Sequence, residues 1–128
     1  MKIKNKLSKL WFIILVLSLM LTLSGCGRKE TKKHGQEISN YTLTKVDAIL
    51  KEAGNFDGKT VTIEGEIIRE CPTGCWFDIK NQAAVIHVDI KPSSFAIPQK
   101  IGKKVTVEGK VSVRNNQPII VGTGVEIK

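Results

Sequence analysis

The chain has 128 residues, of which 20 are Lys or Arg and 12 are Asp or Glu, and 41% are hydrophobic. This length supports one small domain, and a charged fraction of 25% beside that apolar content excludes wholesale disorder and fibrous assemblies. Residues 1–25 hold four lysines and no acid, so only +4 of the formal net charge of +8 belongs to residues 26–128, which gives no strongly basic surface for nucleic acid.

The first 25 residues have the layout of a secretory signal peptide. Lysines up to Lys9 precede an apolar run of 14 residues, Leu10 to Leu23, which is shorter than the roughly 18 to 20 residues of a membrane-spanning helix. The segment Leu23-Ser24-Gly25-Cys26 resembles the lipobox of bacterial lipoproteins, where diacylglycerol is attached to the cysteine sulfur and cleavage occurs just before it. The resemblance implies an exported mature chain that starts at Cys26 and is anchored by acyl chains in the cell membrane.

Residues 26–40 are predicted to form a flexible tether, because Gly27 to Asn40 contains one apolar residue, Ile38, and no periodicity. His34 lies in this tether and is expected to be solvated rather than to bind a metal. The folded domain is predicted to occupy residues 41–128 and to open with a short helix. Thr44 is the expected N-cap of this helix, and Gly54 is expected to end it.

Five strands are predicted to follow, at about 59–70, 75–80, 83–90, 103–114 and 118–127, from the alternation of apolar and polar residues. Gly65 and Gly109 lie midway along the two long strands and predict bends or bulges there. The predicted hairpin loops place apolar residues opposite apolar residues, and they are Pro72-Thr73-Gly74, Asn81-Gln82 and Asn115-Asn116-Gln117. Two long bent strands, a meander and a closing hairpin are typical of an all-β, five-stranded barrel of the OB type.

Residues 44–128 resemble a bacterial OB-fold domain family of the tRNA-anticodon-binding-like and small periplasmic type. The shared features are the leading helix, Phe56-Asp57-Gly58-Lys59, a Val-Thr-Ile-Glu-Gly strand, Gly74-Cys75-Trp76-Phe77 and a terminal Gly124-Val125-Glu126. The resemblance implies the barrel fold but transfers no catalytic residue. The chain departs from nucleic-acid readers because it lacks a run of exposed aromatic residues and a basic face.

Cys71 and Cys75 remain as a pair once Cys26 is assigned to lipidation. Their spacing across the predicted hairpin places them opposite each other. This arrangement fits either a structural disulfide, as is common in exported proteins, or a reduced pair that binds Cu(I) or another soft metal ion. A zinc site is disfavoured because His87 and Asp89 are predicted to point to the opposite face, and a thioredoxin-like role because no helix starts at the pair.

The outward face of the second and third predicted strands is the surface on which OB folds bind ligands, together with the first and last hairpin loops. The predicted register sets Trp76 opposite His87 and Asp78 opposite Val85. The candidate ligand contacts are Thr73, Trp76, Asp78, His87, Arg114, Asn115 and Asn116. Stacking of a sugar or base on Trp76 is one interpretation, and the other is that Trp76 covers the hairpin while the asparagines only form a turn.

The sequence contains no recognisable enzyme motif, and His87 is the only histidine in the predicted domain, so catalysis is not expected. We expect a membrane-anchored, extracytoplasmic binding module for a metal, a cell-envelope component or a partner protein. Two alternatives stay open: binding of single-stranded nucleic acid by the same face, which the charge disfavours, and a structural envelope protein without a small ligand.

Overall fold

The computed structural model describes residues 2–20, 25, 27 and 30–128. Its elements in chain order are α1 (Lys2–Met20), β1 (Lys32–Gly35), α2 (Val46–Lys51), α3 (Ala53–Phe56), β2 (Thr60–Glu70), β3 (Trp76–Asn81), β4 (Ala84–Asp89), a 3-10 turn (Lys91–Ser93), β5 (Lys104–Arg114) and β6 (Gln117–Ile127). The five strands predicted from residue alternation are therefore confirmed as β2 to β6. Each of their ends lies within one residue of its predicted position.

Strands β2 to β6 close into a barrel. The sheet runs β6-β4-β3-β2-β5, and a further β5–β6 pairing joins its two ends. All of these pairings are antiparallel except β4 with β6. The long strand β2 pairs with β5 along its first part and with β3 along its second. This topology is the five-stranded OB-type barrel that the sequence predicts.

Alternate side chains of the five strands fill the barrel, as the period of two requires. The largest fully buried residues of these strands are Phe77, Ile63, Ile67, Ile79, Ile86 and Ile120. Helix α2 adds Val46 and Ile49 to the same core. These contacts leave the outward side chains of β3 and β4 free to form a surface.

Two glycines allow neighbouring strands to approach closely. A Cβ atom on Gly65 would lie 2.3 Å from Cγ2 of Ile79, and one on Gly109 would lie 2.5 Å from the carbonyl oxygen of Val121. The β5–β6 register shifts next to Gly109, between Glu108 and that residue, so the bulge predicted there is confirmed. In β2 the shift falls instead between Ile67 and Arg69, beyond Gly65.

The predicted register of β3 and β4 is wrong by two residues. The turn consists of Gln82 and Ala83 instead of Asn81 and Gln82, because Asn81 pairs with Ala84. Asp78 is therefore opposite His87, and Trp76 is opposite Asp89. A shift of two residues keeps every side chain on its predicted face, so the apolar pattern does not distinguish the two registers.

The last hairpin differs from its prediction in one half only. Val107 pairs with Val125 and Val105 with Ile127 as predicted, but Arg114 pairs with Gln117 across a two-residue turn. The bulge beside Gly109 absorbs the extra residue, so a shorter turn remains compatible with the predicted pairing at the far end.

The segment 32–40 is not a flexible tether. β1 adds to the edge of the barrel by pairing with β6, where His34 lies opposite Val125. Ile38 is buried, and the chain past β1 is held by a hydrogen bond from the amide of Gln36 to the carbonyl oxygen of Thr123. His34 is half-buried, and burial followed by the charges of Lys32 and Lys100 lowers its pKa, so the prediction of a solvated histidine is wrong.

The first helix of the domain, α2, is shorter than predicted and begins at a different N-cap residue. Lys45 is the N-cap residue of α2, and no side chain caps it. Thr44 instead donates its backbone amide to the carbonyl oxygen of Thr62 on β2, which ties this segment to the barrel. The helix ends at Lys51, before Gly54, and Gly54 lies inside α3.

Helix α1 corresponds to the basic and apolar part of the predicted signal peptide. Its apolar side chains from Leu10 to Leu17 are exposed. Among the residues with described structure, no helix combines the length and the apolar character needed to cross a membrane. Cys26, the predicted lipidation site, lies outside the described residues.

Candidate ligand groove and thiol pair

A polar groove of about 750 Å³ lies on the outward face of β3 and β4, beside the β5–β6 turn. Its charged and amide-bearing lining residues are Arg69, Asp78, His87, Asp89, Arg114, Asn115, Asn116 and Gln117. Five of the predicted ligand residues are thus brought together, and the sequence analysis missed Arg69, Asp89 and Gln117 as members. Asp89 could have been found from its spacing of two from His87, which places both on one face of a strand. Arg69 carried no such signal, because a bulge sets its direction.

Asp78 forms the floor of this groove and is only 3% exposed. One carboxylate oxygen, Oδ2, accepts a hydrogen bond from Nε of Arg69 at 2.8 Å and forms an ion pair with Nη2 of the same guanidinium at 2.5 Å. The other oxygen, Oδ1, lies 2.7 Å from Nδ1 of His87. A buried carboxylate needs such partners, because an unpaired charge away from water is costly.

His87 is oriented by this contact. When Nδ1 donates to Asp78, the Nε2 atom of a neutral imidazole is left as an acceptor. The ring also packs against Trp76, with centroids 5.3 Å apart and an angle of 39° between the planes. Trp76 does not line the groove itself but supports the histidine from the same face of β3, two residues before Asp78. The predicted cross-strand pair is wrong, yet the two rings do meet diagonally.

The β5–β6 turn forms another wall of the groove. Asn115 and Asn116 both have positive φ, of 51° and 61°. A two-residue hairpin of type I′ requires positive φ at both positions, and asparagine tolerates it better than most residues. Next to the turn, Nη1 of Arg114 lies 3.6 Å from Oδ2 of Asp89. The asparagines thus shape the turn and at the same time present amide groups to the groove.

The groove is polar but has no excess charge. Its two arginines are matched by two aspartates, and each arginine is paired with one of them. Both guanidinium groups remain largely exposed, at 73% for Arg69 and 55% for Arg114. The surface therefore offers hydrogen-bond donors and acceptors without a strong field of either sign.

Cys71 and Cys75 form a second cluster, in the loop between β2 and β3. Both are free cysteines, so of the two alternatives expected for the pair the disulfide is not present in the structure. A hydrogen bond from the Cys75 side chain, then one from Thr73, lower the pKa of Cys71 to about 6. Thr73 Oγ1 lies 3.0 Å from the Cys71 sulfur, so Thr73 belongs to this cluster and does not line the groove.

Backbone contacts fix the shape of the thiol loop. The amide of Cys71 donates to the carbonyl oxygen of Trp76, and the amide of Gly74 donates to that of Cys71. Gly74 has a φ of 73°, and a Cβ there would lie 2.0 Å from the carbonyl oxygen of Ile97. The predicted register of this first hairpin is partly confirmed. Ile67 pairs with Ile79 as expected, but Arg69 pairs with Asp78 and not with Phe77.

Comparison with solved structures finds a similar chain described as the hypothetical protein ygiW from E. coli. The TM-score is 0.53 at 20% sequence identity, and the match covers 68% of this chain and 90% of that one. The domain has an OB-like fold. At this identity the similarity concerns the fold alone, and it transfers no function. No family model matches the sequence, and no curated protein matches it.

Proposed function

We propose that this protein is a membrane-anchored, extracytoplasmic binding module and that its groove takes an uncharged, hydroxyl-rich ligand, an oligosaccharide of the cell envelope. One observation carries the choice of ligand: both arginines of the groove are paired with aspartates of the same face. A ligand with many hydroxyl groups can use these donors and acceptors together with the amides of Asn115 and Asn116. OB folds bind oligosaccharides or oligonucleotides on the corresponding face.

The charge balance argues against the oligonucleotide alternative. Nucleic-acid affinity comes largely from unpaired lysines and arginines that release counterions from phosphates. Sequence-tolerant binding of single strands also uses several aromatic rings as stacking platforms. In this groove the formal charges cancel, and none of its lining residues is a tryptophan, tyrosine or phenylalanine, while Trp76 packs against His87 from beside the groove.

The proposed lipid anchor would hold the domain close to the membrane. Five residues, 27–31, separate Cys26 from the start of β1 at Lys32. Even fully extended, five or six residues reach only about 20 Å. A domain on so short a link would act on material next to the bilayer, where envelope polymers begin. We expect it to bind such material without altering it chemically.

Isothermal titration of the full chain in detergent with the tetramer of N-acetylglucosamine tests the ligand proposal. We expect saturable binding that changes little between low and high salt. Trp76→Ala and Arg114→Ala should each weaken it by about tenfold, through lost support of His87 and a lost donor. Lys51→Ala is the matched control, because Lys51 is an exposed cation paired with Asp47 on α2, outside the groove.

The same titration with an oligothymidine separates the alternatives. Oligothymidine binding that falls steeply with salt, with no response to the sugar, would support the nucleic-acid alternative and contradict ours. A folded chain that binds neither probe would favour a structural envelope protein. Attachment is tested separately by labelling cells with a palmitate analogue. The wild type should be labelled and Cys26→Ala should not, and equal labelling would refute the anchor.

A further inference from the structure

The loop from Cys71 to Cys75 brings two soft ligands together at a place that the proposed groove does not use. Two backbone hydrogen bonds close the loop, from the amide of Cys71 to the carbonyl oxygen of Trp76 and from the amide of Gly74 to that of Cys71, so Cys71 lies across the loop from Trp76, the residue next to Cys75. Cys71 is buried and Cys75 is half-buried, so the pair is partly accessible to an ion from solvent. Neither of the two forms a disulfide in the structure.

Backbone hydrogen bonds to the connection between β4 and β5 hold the loop in place. The amide of Ile97 donates to the carbonyl oxygen of Gly74, and the amide of Ile90 donates to that of Cys75. These contacts tie the loop to the long connection between β4 and β5 at two points, at its first residue, Ile90, and further along it, at Ile97. A site that is fixed before its ligand arrives loses little conformational entropy on binding.

The number and type of ligands favour a two-coordinate ion. The described part of the chain contains no group of three or more histidine, cysteine, aspartate or glutamate side chains that is placed to hold a metal. A structural zinc ion takes four ligands, so this pair does not suffice for zinc. Thiolate ligands select soft metal ions, and among the first-row metals Cu(I) is a soft ion. We propose that Cys71 and Cys75 bind one Cu(I) ion as a bis-thiolate site.

Binding is balanced by proton release. Two thiols and one Cu(I) ion give a bis-thiolate complex with one negative charge and two protons, with no change of oxidation state. Thr73 Oγ1, at 3.0 Å from the Cys71 sulfur, would donate its hydroxyl hydrogen to the bound thiolate. Such outer partners orient a ligand and add affinity without touching the metal.

Anaerobic titration with Cu(I) against a chromophoric Cu(I) chelator tests this site. The reduced full chain carries Cys26→Ala, so Cys71 and Cys75 are its two remaining cysteines. We expect one Cu(I) ion per chain with two sulfur neighbours in X-ray absorption. Cys71→Ser and Cys75→Ser should each lower the affinity more than about 100-fold, whereas Thr73→Val should lower it about tenfold and keep the stoichiometry. Zn(II) should not be retained.

Two results would overturn the proposal. One is a folded, reduced chain, checked by circular dichroism, that retains no Cu(I) or retains it equally after both cysteines are replaced by serine. The other comes from cells lysed under a thiol-blocking reagent: a fully oxidised Cys71–Cys75 pair without metal, seen by mass spectrometry. Protein from the same preparation that carries copper and whose Cys71 and Cys75 have not reacted with the blocking reagent would support the site. Neither outcome depends on the groove, because its lining residues do not include the two cysteines.

Discussion

The Nδ1 atom of His87 lies 2.7 Å from Oδ1 of Asp78, across the pairing of β3 with β4. Asp78 is buried, whereas His87 is 41% exposed toward the groove. The carboxylate therefore fixes the orientation of a histidine that remains open to a ligand, much as second partners orient histidines at other binding sites. The other carboxylate oxygen fixes Arg69 in the same way.

Arg69→Met is expected to destabilise the protein by about 1 to 2 kcal/mol, because it leaves one oxygen of buried Asp78 without its partner. Arg114→Met is the matched control. Its partner Asp89 is 3.6 Å away and more exposed, so the expected cost is below about 0.5 kcal/mol. Urea denaturation of both variants measures the difference. Equal losses would mean that the Arg69–Asp78 contact does not satisfy a buried charge.

The thiol of Cys71 should ionise near pH 6 in the metal-free, reduced chain. Hydrogen bonds from Cys75 and Thr73 stabilise the thiolate and set its pKa to about 6. The ultraviolet absorbance of the thiolate measures this titration when the absorbance of Cys71→Ala is subtracted at each pH. The method needs no reagent that would have to enter the loop. Thr73→Val and Cys75→Ala should each move the midpoint upward. A wild-type midpoint near 9 would contradict the hydrogen-bonded pair.

Glu108 should make the folded state sensitive to acid. This carboxylate is 8% exposed and accepts bonds from the amides of Ser39 and Asn40, at 3.1 and 3.0 Å, and from the Ser39 hydroxyl. Burial alone would raise its pKa, but these hydrogen bonds outweigh burial and lower the pKa below the ordinary 4.5. The contribution to stability is thus complete above about pH 4.5 and lost as the pH falls through the folded-state value.

The variant Glu108→Gln tests this dependence. At pH 7 we expect a loss of about 1 to 3 kcal/mol in the free energy of unfolding, because the amide is a weaker acceptor and brings unwanted donors. Below pH 4 the wild type should lose stability and the gap between the two proteins should narrow. Urea denaturation across this range gives the gap directly, and a constant gap would show that Glu108 does not hold residues 39–40 through its charge.

Gly109→Ala should disrupt the barrel. An added Cβ would lie 2.5 Å from the carbonyl oxygen of Val121 and 2.6 Å from Cγ2 of Ile120, which the paired backbone of β6 cannot easily relieve. We expect a loss of about 2 kcal/mol or more. Gly54→Ala is the control in α3, where nothing lies within 4 Å of the added atom, and should stabilise by about 0.5 to 1 kcal/mol. Thermal unfolding compares the two, and similar melting temperatures would refute the close approach.

The alternation of apolar and polar residues predicts the barrel well, because every second side chain of a barrel strand is buried. The ends of β2 to β6 and the buried positions follow from it. The registers do not, because moving a strand by two residues buries the same side chains. Asp78 meets His87 instead of Val85 for this reason alone.

Long-range polar contacts account for the other errors. The segment 32–40 has too few apolar residues to predict a strand, yet it is held by pairing of its backbone with β6 and by Glu108. Gly124 is the sequence feature that corresponds to this contact, since a Cβ atom there would lie 2.4 Å from the carbonyl oxygen of Gln36. A glycine in a strand indicates a close approach but does not say which segment approaches.

The most direct test of the ligand groove is an NMR titration of the isotope-labelled full chain in detergent with the N-acetylglucosamine tetramer. The account predicts amide shift changes that saturate and that cluster at Trp76, His87, Asn115 and Asn116, with none at Lys51. Absence of any shift change at saturating sugar, or changes confined to residues outside this face, would contradict it.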